Sequence, residues 1–377
     1  MAGIYVHIPF CKQACHYCDF HFSTNSTHHQ RMVDAIVREL KTRTGFLEGN
    51  RIQTLYFGGG TPSILTTNQI NEIVKAVHEH FDTSELRELT LECNPDDVSK
   101  RNLESWVEVG VNRLSLGIQS FRDEDLKLMN RAHSSSEASD SLRLIKEAGI
   151  TNITADLIYG LPNLSIEDWK KNIHLLLEHD VPHVSAYCLT FEEKTVFDHW
   201  RQSGKIKEVG EELQSDQFQV LIKELAKAGI HQYEVSNFAR PGYESIHNSA
   251  YWSGQPYLGV GPSAHSYWPG TRSWNIDNNA QYMKLIEGGD QHWEEEELSS
   301  ETSYNEMVLT GLRTRKGLDL NAIKHQTGYS PEEEFQDYVA NLISRKLAEL
   351  ENSHLKLSSK GLLQADRIAS DLFIIES

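Results

Sequence analysis

Three of the five cysteines fall within eight residues, in Cys11-Lys12-Gln13-Ala14-Cys15-His16-Tyr17-Cys18. Thiolates are soft ligands that suit zinc or iron–sulfur clusters. A structural zinc ion takes four protein ligands, commonly as two close pairs. This loop offers three sulfurs and the chain has no second close pair, so His7, His16 or His21 would have to complete a zinc site. Three cysteines on one tight loop suit a [4Fe–4S] cluster with one iron left open to an outside ligand. Cys93 and Cys188 fall in strand patterns and read as small buried hydrophobes. An odd cysteine count with three clustered is a poor disulfide framework but a good ligand set for a reducing cytoplasm.

Two further groups of residues can serve a ligand at that loop. Phe57-Gly58-Gly59-Gly60-Thr61-Pro62 follows a strand pattern. Three glycines let a charged ligand approach the backbone where a side chain would block it, although a glycine run alone reads equally as a tight turn. Polar residues also stand where strand patterns end: Glu92, Gln119 and Asp156. Singly each is a capping or turn residue; on one rim they form a polar ring around a ligand. Glu92 can accept from ribose or amino donors. Arg131 can reach a carboxylate through its planar fork.

The elements that must position these residues alternate along the chain. Strand patterns occur at Ile4–Ile8, Thr54–Phe57, Glu88–Glu92, Arg113–Ile118, Asn152–Ile158, His183–Leu189 and His231–Val235. Helical patterns lie between them. Asn68–Phe81 puts Ile70, Ile73, Val74, Val77 and Phe81 on one face, and Ser134–Ala148, Ile166–His179 and Glu212–Ala228 read similarly. Repeated strand–helix alternation predicts a parallel sheet with outer helices, either an open barrel or a doubly wound sheet. Residues 240–279 are rich in Gly, Pro, Ser, Asn, Tyr and Trp and read as a structured excursion over the sheet. Glu294–Glu297 reads as a solvated face or helix start. Helical segments follow at Glu301–Leu312, Leu320–Gln326 and Pro331–Glu351; then Leu355–Leu357 leads into Leu363–Phe373. This tail reads as a small winged-helix-like domain. With 36 basic and 54 acidic residues the net charge is −18, which argues against broad binding to nucleic acid or anionic membrane. No apolar run approaches a membrane span, and the N-terminal residues do not read as a secretory signal.

The spacing Cys-x3-Cys-x2-Cys, with Tyr17 before the last cysteine, resembles the signature of radical SAM proteins. The resemblance implies an α/β fold, a partial (β/α)6 TIM-type barrel, carrying a [4Fe–4S] cluster on Cys11, Cys15 and Cys18. Its open iron would bind S-adenosylmethionine, and electron transfer to the sulfonium would yield a 5′-deoxyadenosyl radical. Tyr5-Val6-His7-Ile8-Pro9-Phe10-Cys11, Gly58–Pro62 and Asp156–Pro162 resemble, more narrowly, the anaerobic coproporphyrinogen III oxidases and their relatives. On that resemblance Tyr5, Gly59, Gly60, Thr61, Glu92, Gln119, Arg131 and Asp156 would contact S-adenosylmethionine, with Tyr17 at the adenine. The implied domains are a radical SAM core at 1–239, a connecting region at 240–295 and a helical domain at 296–377.

Two features separate the oxidases from a haem-chaperone subgroup of the same family. The oxidases have a fourth cysteine two positions after the third, where this chain has Phe20, and an extension before the first strand, where this chain begins almost at the strand. The subgroup shares His247-Asn248-Ser249-Ala250-Tyr251-Trp252, a motif associated with haem binding. Histidine is a common axial haem ligand, Tyr and Trp offer flat faces, and the nearby loop Leu258–Ser266 adds a second histidine, His265. One departure is local: His21-Phe22 stand where relatives have small polar residues. The resemblance thus implies a cytoplasmic carrier with haem as cargo at His247 and haem-requiring apoproteins as partners. It allows a homodimer and at most peripheral contact with membrane-bound acceptors, with no nucleic acid. The alternatives are a coproporphyrinogen III oxidase and, more remotely, a radical enzyme acting on RNA or another small molecule. Replacing any one of Cys11, Cys15 or Cys18 by Ala is expected to abolish the brown iron–sulfur chromophore. A full complement of iron and sulfide in two of the three variants would contradict the ligand assignment.

Overall fold

The computed structural model describes residues 2–375; Met1, Glu376 and Ser377, at the outer limits of the expected domains, lie outside the described residues. Six parallel strands pair in chain order: β1 (Ala2–Ile8), β2 (Ile52–Gly59), β3 (Glu88–Cys93), β4 (Arg113–Gln119), β5 (Asn152–Tyr159) and β6 (His183–Cys188). The helices between and after them are α1 (His29–Thr42), α2 (Thr67–His80), α3 (Lys100–Val109), α4 (Asp123–Leu128), α5 (Ser135–Glu147), α6 (Ile166–Glu178), α7 (Val196–Gln202) and α8 (Glu211–Lys227). Of the two arrangements the alternation allowed, the partial barrel is the one formed.

Local chemistry sets the helix ends. Thr66 and Gln69 form a reciprocal capping box at the start of α2, and Ser134 and Glu137 do so at α5. The strands follow a period of two. Ile4, Val6, Leu55, Phe57, Leu89, Leu91, Leu114, Leu116, Ile153, Ala155, Val184 and Ala186 are buried in the main apolar core. Fully burying such a Leu or Ile contributes about 1.5–3 kcal/mol. The alternate positions carry Tyr5, His7, Thr54, Tyr56, Glu88, Thr90, Glu92, Arg113, Ser115, Asp156, His183 and Ser185. The barrel interior is therefore polar, and its groups must satisfy one another.

Both edges of the sheet are extended. Beyond β6 lie β8 (Asn237–Ala239) and β7 (His231–Gln232), both antiparallel. The expected strand at His231–Val235 is thus only a short hairpin. At the opposite edge, β9 (Tyr257–Val260) pairs parallel with β1, followed by β10 (His265–Trp268), β11 (Thr271–Asn275) and β12 (Trp293–Glu297), all antiparallel. The segment expected to pass over the sheet instead widens it. The acidic run Glu294–Glu297 forms the edge strand, where charge discourages pairing with another chain. A short helix, α9 (Ile246–Trp252), sits under the barrel at the N-terminal ends of the strands; Ser245 Oγ and the N–H groups of Ile246 and His247 donate to the Glu88 carboxylate.

The C-terminal part has its own core around Tyr304, Val308, Leu312, Ile323, Leu342 and Leu355. α10 (Asn279–Gly288) packs on the main core; the C-terminal part comprises α11 (Ser300–Leu312), β13 (Leu318–Asp319), α12 (Leu320–Thr327), α13 (Pro331–Glu334), α14 (Gln336–Ser344), β14 (Ala348–Glu351), β15 (His354–Leu357), α15 (Ser359–Leu362) and α16 (Ala365–Ser370). The small sheet runs β13-β15-β14, antiparallel, which gives the winged-helix-like arrangement. Pro331–Glu351 is not one helix: its end is strand β14. Asn352 and Ser353, both at positive φ, turn the chain back into β15 as a tight hairpin. No helix among the described residues is long and apolar enough to cross a membrane.

Glu39 of α1 ties the widened edge to the barrel. Its fully buried carboxylate accepts from Gly261 N at 2.8 Å, Asn275 Nδ2 at 2.7 Å, Tyr282 Oη at 2.5 Å and His292 Nε2 at 3.0 Å. Removing it leaves several buried donors without an acceptor. Glu39→Ala is expected to lose about 2–4 kcal/mol in urea unfolding, against less than about 1 kcal/mol for an exposed change such as Glu349→Ala.

Candidate functional site

A cavity of about 450 Å3 opens at the C-terminal ends of the barrel strands, the end where parallel α/β barrels carry their working residues. Cys11, Cys15, Cys18, Tyr17, Gly59, Gly60, Thr61, Glu92, Gln119, Arg131 and Asp156 all line it. The structure thus gathers on one wall residues that span more than a third of the sequence.

The cysteine loop leaves β1 and is held from three sides. Cys11 N donates to Ser23 O and Ser23 N to Pro9 O, which closes the loop at its base. Its far side is fastened to the segment after α4. His16 N donates to Met129 O at 3.1 Å, His16 Nδ1 to Leu128 O at 2.9 Å, and Asn130 Nδ2 to Ala14 O at 2.7 Å; Gln13 Nε2 returns to Asn130 O. Lys12 pairs with Asp96 and Asp97. Arg131 reaches inward, donating to Cys15 Sγ at 3.3 Å, Asn94 Oδ1 at 2.5 Å and Gly117 O at 2.7 Å.

All three sulfurs are free thiols, partly buried. Burial raises the Cys11 thiol and pushes Cys18 up to about 12. A metal centre here must displace those protons as it binds. Zinc finds little to complete it. His7 commits both ring nitrogens, donating from Nε2 to His21 O and accepting from Tyr5 Oη, while His16 and His21 each commit one. Among the described residues no three His, Cys, Asp or Glu side chains converge as a site for a single ion. A cubane is larger than one ion and takes sulfurs standing further apart, so the donor set fits an iron–sulfur cluster.

The glycine motif is a cradle that a Cβ would fill. Gly60 N donates to Ile8 O and Thr61 N to Phe10 O, which lays the motif beside the cysteine loop. A Cβ on Gly60 would stand 2.6 Å from Phe10 O and 3.0 Å from Cys11 Sγ. Gly59 has φ +105° and its Cβ would meet the His7 ring at 2.6 Å. Gln119 also sits at positive φ, +66°, beside an irregularity in β4, the kind of strain found where a side chain is aimed at a ligand.

The floor is acidic. Burial raises Glu92 to about 7, with the Tyr56 hydroxyl, donating to Oε1 at 2.7 Å, working against that rise. Burial likewise raises Asp156 to about 6. Two carboxyls titrating near neutrality can accept from hydroxyl or ammonium donors of a bound ligand.

Two expected residues are elsewhere. Tyr5 lies one layer below the cavity floor, stacked on Tyr56 at 6.0 Å. His247 lies at the opposite end of the barrel, 1% exposed, with Nδ1 against Thr54 Oγ1 at 2.7 Å and Nε2 against Tyr251 Oη at 2.8 Å. With both ring nitrogens engaged, it is not brought to the cavity: residues 246–252 form a helix that plugs the barrel. Sequence reasoning also missed Tyr56, Asn94, Ser115 and Tyr187, the last three of which line the cavity. Their signal was present: each of Tyr56, Ser115 and Tyr187 falls on the polar phase of a strand's alternation.

Comparison with known proteins agrees with this geometry. The family profile of the Radical SAM superfamily matches residues 5–176, and that of the HemN C-terminal domain matches 298–363. The solved coproporphyrinogen III oxidase HemN of Escherichia coli, a radical SAM enzyme, superposes with a TM-score of 0.84 at 25% identity, covering 99% of this chain and 90% of that one. The chain is a radical SAM protein. The heme chaperone HemW of Lactococcus lactis is 34% identical over 95% of this chain and 93% of its own length; that of Bacillus subtilis is 33% identical over 98% of each. A zebrafish relative, the mitochondrial radical S-adenosyl methionine domain-containing protein 1, is 30% identical over 99% of this chain and 87% of its own. At this identity and coverage the chain belongs to the HemW family.

The raised Glu92 carboxyl makes a signed prediction for the apoprotein. A folded pKa of about 7 against 4.5 means that the proton is held more tightly in the fold. The associated stability is complete at acid pH and lost as pH rises through about 7. Glu92→Gln keeps the Tyr56 hydrogen bond without the charge. Its stability relative to wild type, measured by urea unfolding, is expected to increase from about pH 5 to about pH 8. A difference independent of pH would contradict the buried, protonated carboxyl.

Proposed function

We propose that this chain is a cytoplasmic haem carrier that delivers haem to haem-requiring apoproteins, and that it holds a [4Fe–4S] cluster on Cys11, Cys15 and Cys18 with S-adenosylmethionine beside it. The observation that carries the reading is the single cavity on which the cysteine loop, the glycine cradle and the buried acids meet, in a chain whose relatives across nearly full length are named heme chaperones. When bound, the cluster supplies an electron to the sulfonium. The chain's own residues do the rest. Gly59, Gly60 and Thr61 admit the methionine end, Glu92 and Asp156 accept from its amino group and ribose, and Gln119 and Arg131 close the wall. Tyr17 lies against the adenine.

The mouth of the cavity supports a carrier over a decarboxylase. Phe20 takes the position of the oxidases' fourth cysteine and is 68% exposed at the rim. It offers no ligand or acid for chemistry on a propionate but does offer an apolar, flat surface. The second reading, oxidative decarboxylation of coproporphyrinogen III, is favoured by the close superposition on HemN. Two assays on the anaerobically reconstituted chain decide between them. Haem titration is expected to give a stable Soret band, and incubation with coproporphyrinogen III, S-adenosylmethionine and reductant is expected to give no protoporphyrinogen IX. Catalytic decarboxylation without a stable haem adduct would reverse the assignment.

A further inference from the structure

The residue that follows β3 stands between two of the three cysteine sulfurs. Asn94 Oδ1 accepts from Arg131 Nη2 at 2.5 Å, and Arg131 Nη1 donates to Cys15 Sγ at 3.3 Å. Asn94 Nδ2 donates to Thr61 Oγ1 at 3.3 Å, and the Thr61 hydroxyl donates to Cys11 Sγ at 3.5 Å. The directions of these bonds follow from one another. A guanidinium only donates, so the amide turns its oxygen to Arg131 and its nitrogen to Thr61. The Thr61 oxygen then accepts from Asn94, which leaves its single proton for Cys11.

The surroundings hold the amide in place. Asn94 O accepts from Asp97 N at 3.0 Å and closes the turn Pro95–Asp97. Ser63 Oγ donates to Asp97 at 2.7 Å, which ties that turn to the segment after the glycine motif. Gly117 O accepts from Arg131 Nη2 at 2.7 Å. A Cβ on Gly117 would stand 3.1 Å from both Arg131 Nη2 and Asn94 Oδ1, so glycine at this position leaves room for the pair.

We infer that Asn94 is a positioning residue that aims one donor at each of Cys11 and Cys15 and thereby raises the reduction potential of the cluster they hold. The inference rests on the proposed cluster and adds what tunes it. Reduction adds a negative charge to an iron–sulfur cluster, and donors to the ligand sulfurs stabilise that charge. Arg131 is a charged donor and Thr61 a neutral one, and Asn94 is the one side chain that orients both. Without it the Thr61 hydroxyl is free to turn from Cys11, and Arg131 keeps only Gly117 O and Cys15 as partners.

The test is a titration of the anaerobically reconstituted full chain with titanium(III) citrate, without S-adenosylmethionine, once iron and sulfide have been counted. The electron paramagnetic resonance signal of the reduced cluster gives the midpoint potential. Asn94→Ala is expected to lower it by about 59 mV or more, tenfold in the one-electron equilibrium. Thr61→Val is expected to lower it by less, and Thr61→Ser, which keeps the hydroxyl, to hold the wild-type value. In the Asn94→Ala background Thr61→Val is expected to add nothing, because the hydroxyl has already lost its direction. A fully loaded Asn94→Ala variant whose equilibrium lies within about twofold of wild type would overturn the inference and leave the cluster standing. If that variant takes up no cluster, the Thr61 pair decides, and equal potentials in Thr61→Val and Thr61→Ser would overturn it. A wild-type chain that takes up no iron and sulfide would overturn the inference together with the cluster itself.

Discussion

Between the bridge at Phe10 and the start of α1 the chain has no helix or strand to hold it, yet this is the stretch that presents three thiols to one cavity. Its shape rests on hydrogen bonds between backbone and side chains of two remote segments. His16 is tied to Leu128 and Met129, Ala14 and Gln13 to Asn130, and Arg131 then reaches through to Cys15. Asn130 adopts positive φ so that one residue can face the loop from both its backbone and its amide. Soft ligands bind a cluster in defined geometry only if their spacing is set beforehand, and here the end of the fourth β–α unit sets it.

The interior of the barrel extends that control downward. A polar interior is stabilised when its groups partner one another, and the layers from bottom to top are linked in sequence. Glu88 caps α9, and His247 on that helix stacks on Tyr56 at 4.9 Å. Tyr56 in turn donates to Glu92 on the cavity floor. The His-Asn-x-x-Tyr-Trp segment thus supports the site from beneath and, through Tyr251, packs edge-on against Tyr257 of β9. One helix of two turns serves both because it occupies the only end of the barrel that the cavity does not.

Much of this was legible in the sequence, for identifiable reasons. The cysteine spacing, the glycine run and the polar residues at strand ends are local signals, and each one survives in the fold. The outer helices were legible because Ile70, Ile73, Val74 and Val77 repeat at the helical period. What escaped reading was non-local. Residues 240–295 carry turn-rich composition, and nothing in it states that β9 pairs with β1 more than two hundred residues away. Glu294–Glu297 satisfies no burial pattern, since an edge strand needs only backbone partners. The hairpin after Leu347 was hidden by helix-forming Glu and Leu, with Asn352 and Ser353 the sole signal of its turn. The burial of His247 was not legible either, because a motif names residues and not the face on which they lie.

On the proposed function, a cluster held by Cys11, Cys15 and Cys18 would leave one iron open to a sulfonium ligand in this cavity. Low-temperature electron paramagnetic resonance of the reduced, anaerobically reconstituted chain addresses that contact directly, recorded before and after addition of S-adenosylmethionine. The signal of the reduced cluster is expected to change in g-values when the ligand is added, because a new donor reaches one iron. Superimposable spectra at saturating ligand would contradict the central claim.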